Sequence, residues 1–124
     1  MANKLLSSEK IIIDSVFLEY KLNYSLHDLL NTKSLLVAFE LSQILGLHIK
    51  KGSVSCSIKN KPVSIKEYYW CVLGSRRINP IMEEYNQIQN IRIMSAYFPT
   101  PQEVTQLIVN QYKYCLKCYL DYEN

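Results

Sequence analysis

Seven cations crowd the middle of the chain: Lys50, Lys51, Lys59, Lys61, Lys66, Arg76 and Arg77 stand against a single acid, Glu67. The whole chain of 124 residues carries only +3, so the remainder is mildly acidic. A basic centre on an acidic body suits a surface that meets phosphate. Between those cations lie short donors, Ser53, Ser55 and Asn60. Asn can pair bidentately with adenine and Lys can donate to guanine acceptors, so the stretch has the chemistry to read DNA.

The other reactive residue types are sparse. Cys115 and Cys118 have the two-residue gap used by zinc sites and redox motifs. Zinc would need two more ligands from Cys56, Cys71, His27 and His48, and these form no second close pair. A redox pair should follow a strand and open a helix, whereas this one sits near the end of an apparent helix. Buried thiols are therefore expected, with no metal and no other cofactor. Neither histidine lies in a Cys–His or Ser–His–Asp context. Three glycines, at 46, 52 and 74, cannot form a phosphate cradle, and Glu83 and Glu84 diverge on a helix. No catalytic residues, and no enzyme, are expected.

These residues need a scaffold. Apolar residues make up 48% and charged residues 20%, which is the balance of a folded globular chain. No apolar run is long enough to span a bilayer, and Met1–Ser8 lacks the apolar core of a secretory leader. The expectation is one cytoplasmic domain, 1–124, with no membrane contact.

Ile13, Val16, Phe17 and Tyr20 recur at helical spacing over Glu9–Leu22. Ser25 can open a short turn over Leu26–Asn31. Thr32 or Ser34 caps a stronger helix, Leu35–Leu45, which Gly46 stops in the left-handed conformation. Ser53 caps a short helix, Val54–Asn60, with Val54 and Ile58 on one face. Val63–Leu73 reads as a strand. Asn79 and Pro80 start a helix to about Gln89. Ile91, Ile93 and Met94 fit either a short strand or the tail of that helix. Thr100, Pro101 and Glu103 open a final helix, Pro101–Leu120. The expected fold is mostly α with a small β element.

The segment Leu36–Leu73 has the layout of a helix-turn-helix at about 35–61, followed by a short β wing at 63–73. Its second helix would enter the major groove while the first braces it. Ser42-Gln43-Ile44-Leu45-Gly46-Leu47, Ser53-Val54-Ser55-Cys56-Ser57-Ile58-Lys59-Asn60-Lys61 and Tyr68-Tyr69-Trp70 resemble the helix-turn-helix modules appended to phage and intron homing endonucleases. That resemblance covers residues 36–73 and implies sequence-biased binding of double-stranded DNA without cleavage, in a regulator or accessory factor of a phage or mobile element. It implies base contacts from Ser53, Ser55, Lys59 and Asn60, and phosphate contacts from Lys50, Lys51, Lys61, Arg76 and Arg77. Trp70, within an apolar run, is expected in the core.

A second reading competes. Of ten tyrosines, eight crowd the second half, and Tyr offers large contact area at low entropic cost. The C-terminal helix, with Tyr112, Cys115 and Tyr119 on one face, would then join a second copy or another protein. Under this reading the chain is a small interaction module, of the inhibitor or immunity type, whose cations meet an acidic partner.

Overall fold

The computed structural model describes residues 7–111. Helix α1 (Ser7–Asn23) is followed by α2 (Leu26–Asp28), a π turn (Leu29–Lys33) and α3 (Ser34–Leu45). Strands β1 (His48–Ile58), β2 (Lys61–Leu73) and β3 (Arg76–Ile78) come next, then α4 (Pro80–Glu84) and β4 (Ile88–Tyr97). A last helix, α5, occupies 101–111. The tyrosine-bearing segment from 112 onward, with Cys115 and Cys118, lies outside the described residues.

The expectation of a mostly α chain with a small β element is overturned. Helix accounts for 50% and strand for 35% of the structure, and the four strands form one antiparallel sheet in the order β3-β2-β1-β4. The decisive segment is Val54–Asn60, expected as a recognition helix. It is the end of β1 and a tight turn instead, so no helix-turn-helix forms. Val54, Cys56 and Ile58 alternate with Ser55 and Ser57, and this period of two puts every apolar residue on one side of a strand. Val54 and Ile58 alone satisfy helical spacing as well; Cys56 between them decides for the strand. Lys59 and Asn60 close the hairpin with φ of 52° and 65°, the left-handed pair of a type I′ turn. The wing expected at 63–73 becomes a central strand, paired with β1 on one side and β3 on the other.

Other expectations hold closely. The first helix and Leu35–Leu45 lie within α1 and α3, and Gly46 ends α3 at φ 67°. Asn79 caps α4, with its side chain accepting the Met82 N–H, but that helix ends at Glu84 and Ile91–Met94 belong to β4. Thr100 Oγ1 accepts the Glu103 N–H at 3.1 Å, so α5 begins where its capping residues place it.

Packing follows from the sheet. α3 lies against β2, where the Cys71 thiol donates to the Ala38 carbonyl at 3.2 Å and the Tyr69 N–H donates to Ser34 Oγ at 3.2 Å. The helix runs through the π turn into α3, so Ser34 is interior to it and its hydroxyl serves the strand rather than capping the helix. β3 and β4 are opposite edges, and the chain between them, including α4, crosses the sheet. Tyr68 stacks on Trp70 with ring centroids 6.0 Å apart, and its hydroxyl donates to Asn79 Oδ1. Trp70 is buried in this core. α1 covers α3 and α4, with Phe17 edge-on to Tyr85 at 6.5 Å and the Tyr20 hydroxyl donating to Glu40 at 2.8 Å.

Candidate interaction surface

The residues expected to contact DNA do not converge. Lys59 and Asn60 form the exposed turn, and Lys61 begins β2. Arg76 and Arg77 lie on β3, paired with Leu73 and Val72 at the far end of β2. Twelve strand steps, about 40 Å of contour at ~3.3 Å each, separate the two groups along β2. Ser53 and Ser55 are half-buried on β1, between two neighbouring strands. Ser53 Oγ shares a hydrogen bond of 2.8 Å with Ser95 Oγ, and Ser55 stands opposite Ser64 and Arg92. β4 flanks β1 as far as Ile58, opposite Ile88, so the hairpin is not a free two-stranded ribbon of the kind that fits a major groove.

Lys51 is committed internally. It faces Tyr69 on β2 and Tyr97 on β4, and its side chain is 14% exposed. Its ammonium lies 3.6 Å from Glu67 and 3.8 Å from Glu103, and 5.5 Å from the Tyr69 ring centroid. The Tyr97 hydroxyl donates to the same Glu103 oxygen at 2.8 Å. Burial alone would lower the Lys51 pKa, but the Tyr69 hydroxyl and Glu67 outweigh it and hold the ammonium above its ordinary value. A lysine so enclosed joins β1, β2, β4 and α5 and is not available to an external phosphate. Lys50, its neighbour, instead lies over the exposed Phe98 ring, 5.0 Å from the centroid.

A groove of about 530 Å³ opens between the start of α3 and α5, with Asn31, Lys33, Glu67, Tyr69 and Asn110 among its lining residues. Among its described lining residues no nucleophile has a base beside it. The Ser34 hydroxyl is taken by the Tyr69 N–H, and the Lys33 ammonium lies 4.8 Å over the Tyr24 ring. Among the described residues no three His, Cys, Asp or Glu side chains gather as metal ligands. Burial pushes the Cys71 thiol up to about 12 and raises Cys56 as well, so both are structural thiols rather than reactive ones.

The most open feature is β4. Its outer edge has no partner strand among the described residues, and Ile91, Met94 and Tyr97 are exposed along it, followed by Phe98. No acid occurs from Ile88 to Phe98, and Arg92 is the one charge. The strand is not flat. Its register with β1 shifts twice, between Ser53 and Val54 and between Ser55 and Ser57, and Asn90 takes φ 55° at the second shift. There the Asn90 amide donates to Ser57 Oγ at 3.4 Å. Bulges of this kind bend an edge and limit indiscriminate pairing. Sequence reasoning left Ile91–Met94 undecided and passed over Phe98. The available signal was the alternation of Ile91 and Ile93 in a run free of acids.

No helix among the described residues is long and apolar enough to cross a membrane. No protein family, curated protein or solved structure matches the chain.

Proposed function

We propose that this chain is a protein-interaction module, of the inhibitor or immunity type, that holds an extended acidic segment of a partner protein along β4. The observation that carries this reading is the outer strand, ten residues long, with Ile91, Met94 and Tyr97 exposed and its outer backbone groups unpaired by any described strand. Such an edge supplies main-chain hydrogen bonds for affinity, while the side chains around it supply specificity. Arg92 and Lys50 set the sign of the partner, and Met94, Tyr97 and Phe98 set its apolar character. The two bulges select a strand that follows the bend. The role is binding, not catalysis, and the setting is the cytoplasm, where thiols such as Cys56 and Cys71 stay reduced.

Duplex DNA, the partner expected first from the cations, has less support, because the helix meant to enter the groove is a strand and the cations lie apart. A displayed library of ten-residue peptides tests the choice. Selected peptides should be rich in acids and in β-branched or aromatic residues, and should protect the amides of 91–97 from hydrogen exchange. Absence of any enrichment, or salt-sensitive binding of duplex DNA by a protein that selects no peptide, would overturn the proposal.

A further inference from the structure

α1 has two apolar faces. Ile13 and Phe17 are buried, with Val16 and Tyr20 packed beside them. On the opposite side Ile11, Leu18 and Leu22 are 65%, 52% and 74% exposed. At 3.6 residues per turn, Ile11, Ser15, Leu18 and Leu22 fall within one stripe about 60° wide. Their spacing of four, three and four is that of a coiled-coil seam. A hollow of about 400 Å³ adjoins the stripe, with Lys10, Asp14, Phe17 and Glu84 among its walls.

We propose that this stripe is a self-association surface on which α1 of a second copy of this chain packs antiparallel. The interface is independent of β4 and of the reading given to it. With Ile11 level with Leu22 of the second copy, Ser15 comes level with Leu18, so each small residue receives a large one. A parallel pair would set Ser15 against Ser15 and leave a gap at the centre. Charge agrees with the antiparallel arrangement. Asp14 and Lys21 flank the stripe on the same side, and a two-fold axis brings like flanks together. Lys21 of one copy then lies within about 3 Å, along the axis, of Asp14 of the other. Two ion pairs within the single chain, Lys10 with Asp14 at 2.9 Å and Lys21 with Glu84 at 2.8 Å, hold these side chains beside the stripe before the second copy arrives.

A helix of 17 residues is about 25 Å long. Its contact is small beside the roughly 800 Å² per partner of a stable complex, so the dimer is a micromolar one. Sedimentation equilibrium of the full chain from about 5 to 500 µM tests it. The expected result is a monomer–dimer equilibrium that Ser15→Leu tightens about tenfold or more, by adding apolar area at the centre of the seam. Leu18→Glu should be monomeric throughout, with an unchanged circular dichroism spectrum, because Leu18 is outside the core. A wild-type chain that stays monomeric overturns the proposal, as does a dimer that survives Leu18→Glu. A Ser15→Leu variant that is monomeric as well overturns it equally.

Discussion

Gly52 on β1 and Ser95 on β4 approach so closely that a Cβ on Gly52 would lie 2.0 Å from the Ser95 carbonyl oxygen. The obstacle is backbone, which cannot rotate away. Gly52→Ala should therefore push β4 off β1 and cost about 1–3 kcal/mol, the range of an overpacked core. Urea denaturation measures the loss, and hydrogen exchange should show it concentrated in β4. An alanine variant as stable as the parent would show that the two strands stand further apart than described.

The hairpin turn offers a test of opposite sign. Lys59 and Asn60 both hold positive φ, which Asn and Gly adopt more readily than Lys. The double change Lys59→Asn with Asn60→Gly should stabilise the protein by about 1 kcal/mol. In a helix over the same residues it would destabilise, since Asn and Gly are poor helix formers. The sign of the shift in urea midpoint thus separates a strand hairpin from a recognition helix.

Ser34 is 2% exposed, and its hydroxyl receives the buried Tyr69 N–H. Ser34→Ala leaves that amide without a partner at a cost of about 1–3 kcal/mol. The Tyr69 amide should then exchange with solvent faster than its neighbours Tyr68 and Trp70. A variant with unchanged stability and unchanged Tyr69 exchange would contradict the bond.

Alkali should weaken the fold. Burial lifts the Cys71 thiol from 9.0 to about 12, so the unfolded chain releases this proton before the folded one does. The contribution is intact below about pH 9 and is lost between there and about pH 12, at roughly 1.4 kcal/mol per pH unit. Tyr68, also pushed up by burial, adds a loss of the same sign above about pH 10. Denaturation midpoints should be level near neutrality and fall steadily past pH 9. Cys71 should also resist alkylation in the folded protein at about pH 8 and react once urea is added. A midpoint unchanged through pH 11 would contradict the burial of this thiol.

Much of the helical framework was legible from local chemistry. Gly46 after an apolar run, Asn79 before Pro80, and Thr100 before Pro101 each mark a helix end through a bond made within a few residues. The sheet was not legible in the same way. Val54 and Ile58 satisfy both a helical and a strand period, Cys56 between them is a single residue in favour of the strand, and pairing with β2 and β4 on either side fixes it. Strand pairing joins residues as distant as Lys51 and Tyr97, and no local pattern records it. The cations were misjudged for a related reason. A run that is dense in sequence becomes long in space once extended, so Lys61 and Arg76 part company. Lys51 is captured by Glu103, an acid some fifty positions away in the chain.

The strand order also dictates when the sheet can be completed. β1 and β2 are joined by a tight turn and can zip within microseconds, whereas β4 must wait for β2, β3 and α4 to be made before it reaches the other side of β1. A nascent chain on the ribosome therefore carries a β1 margin with one edge unpaired for the whole of that interval. It is in this window, rather than after maturation, that the polypeptide is most open to chaperones and to mispairing with its own siblings.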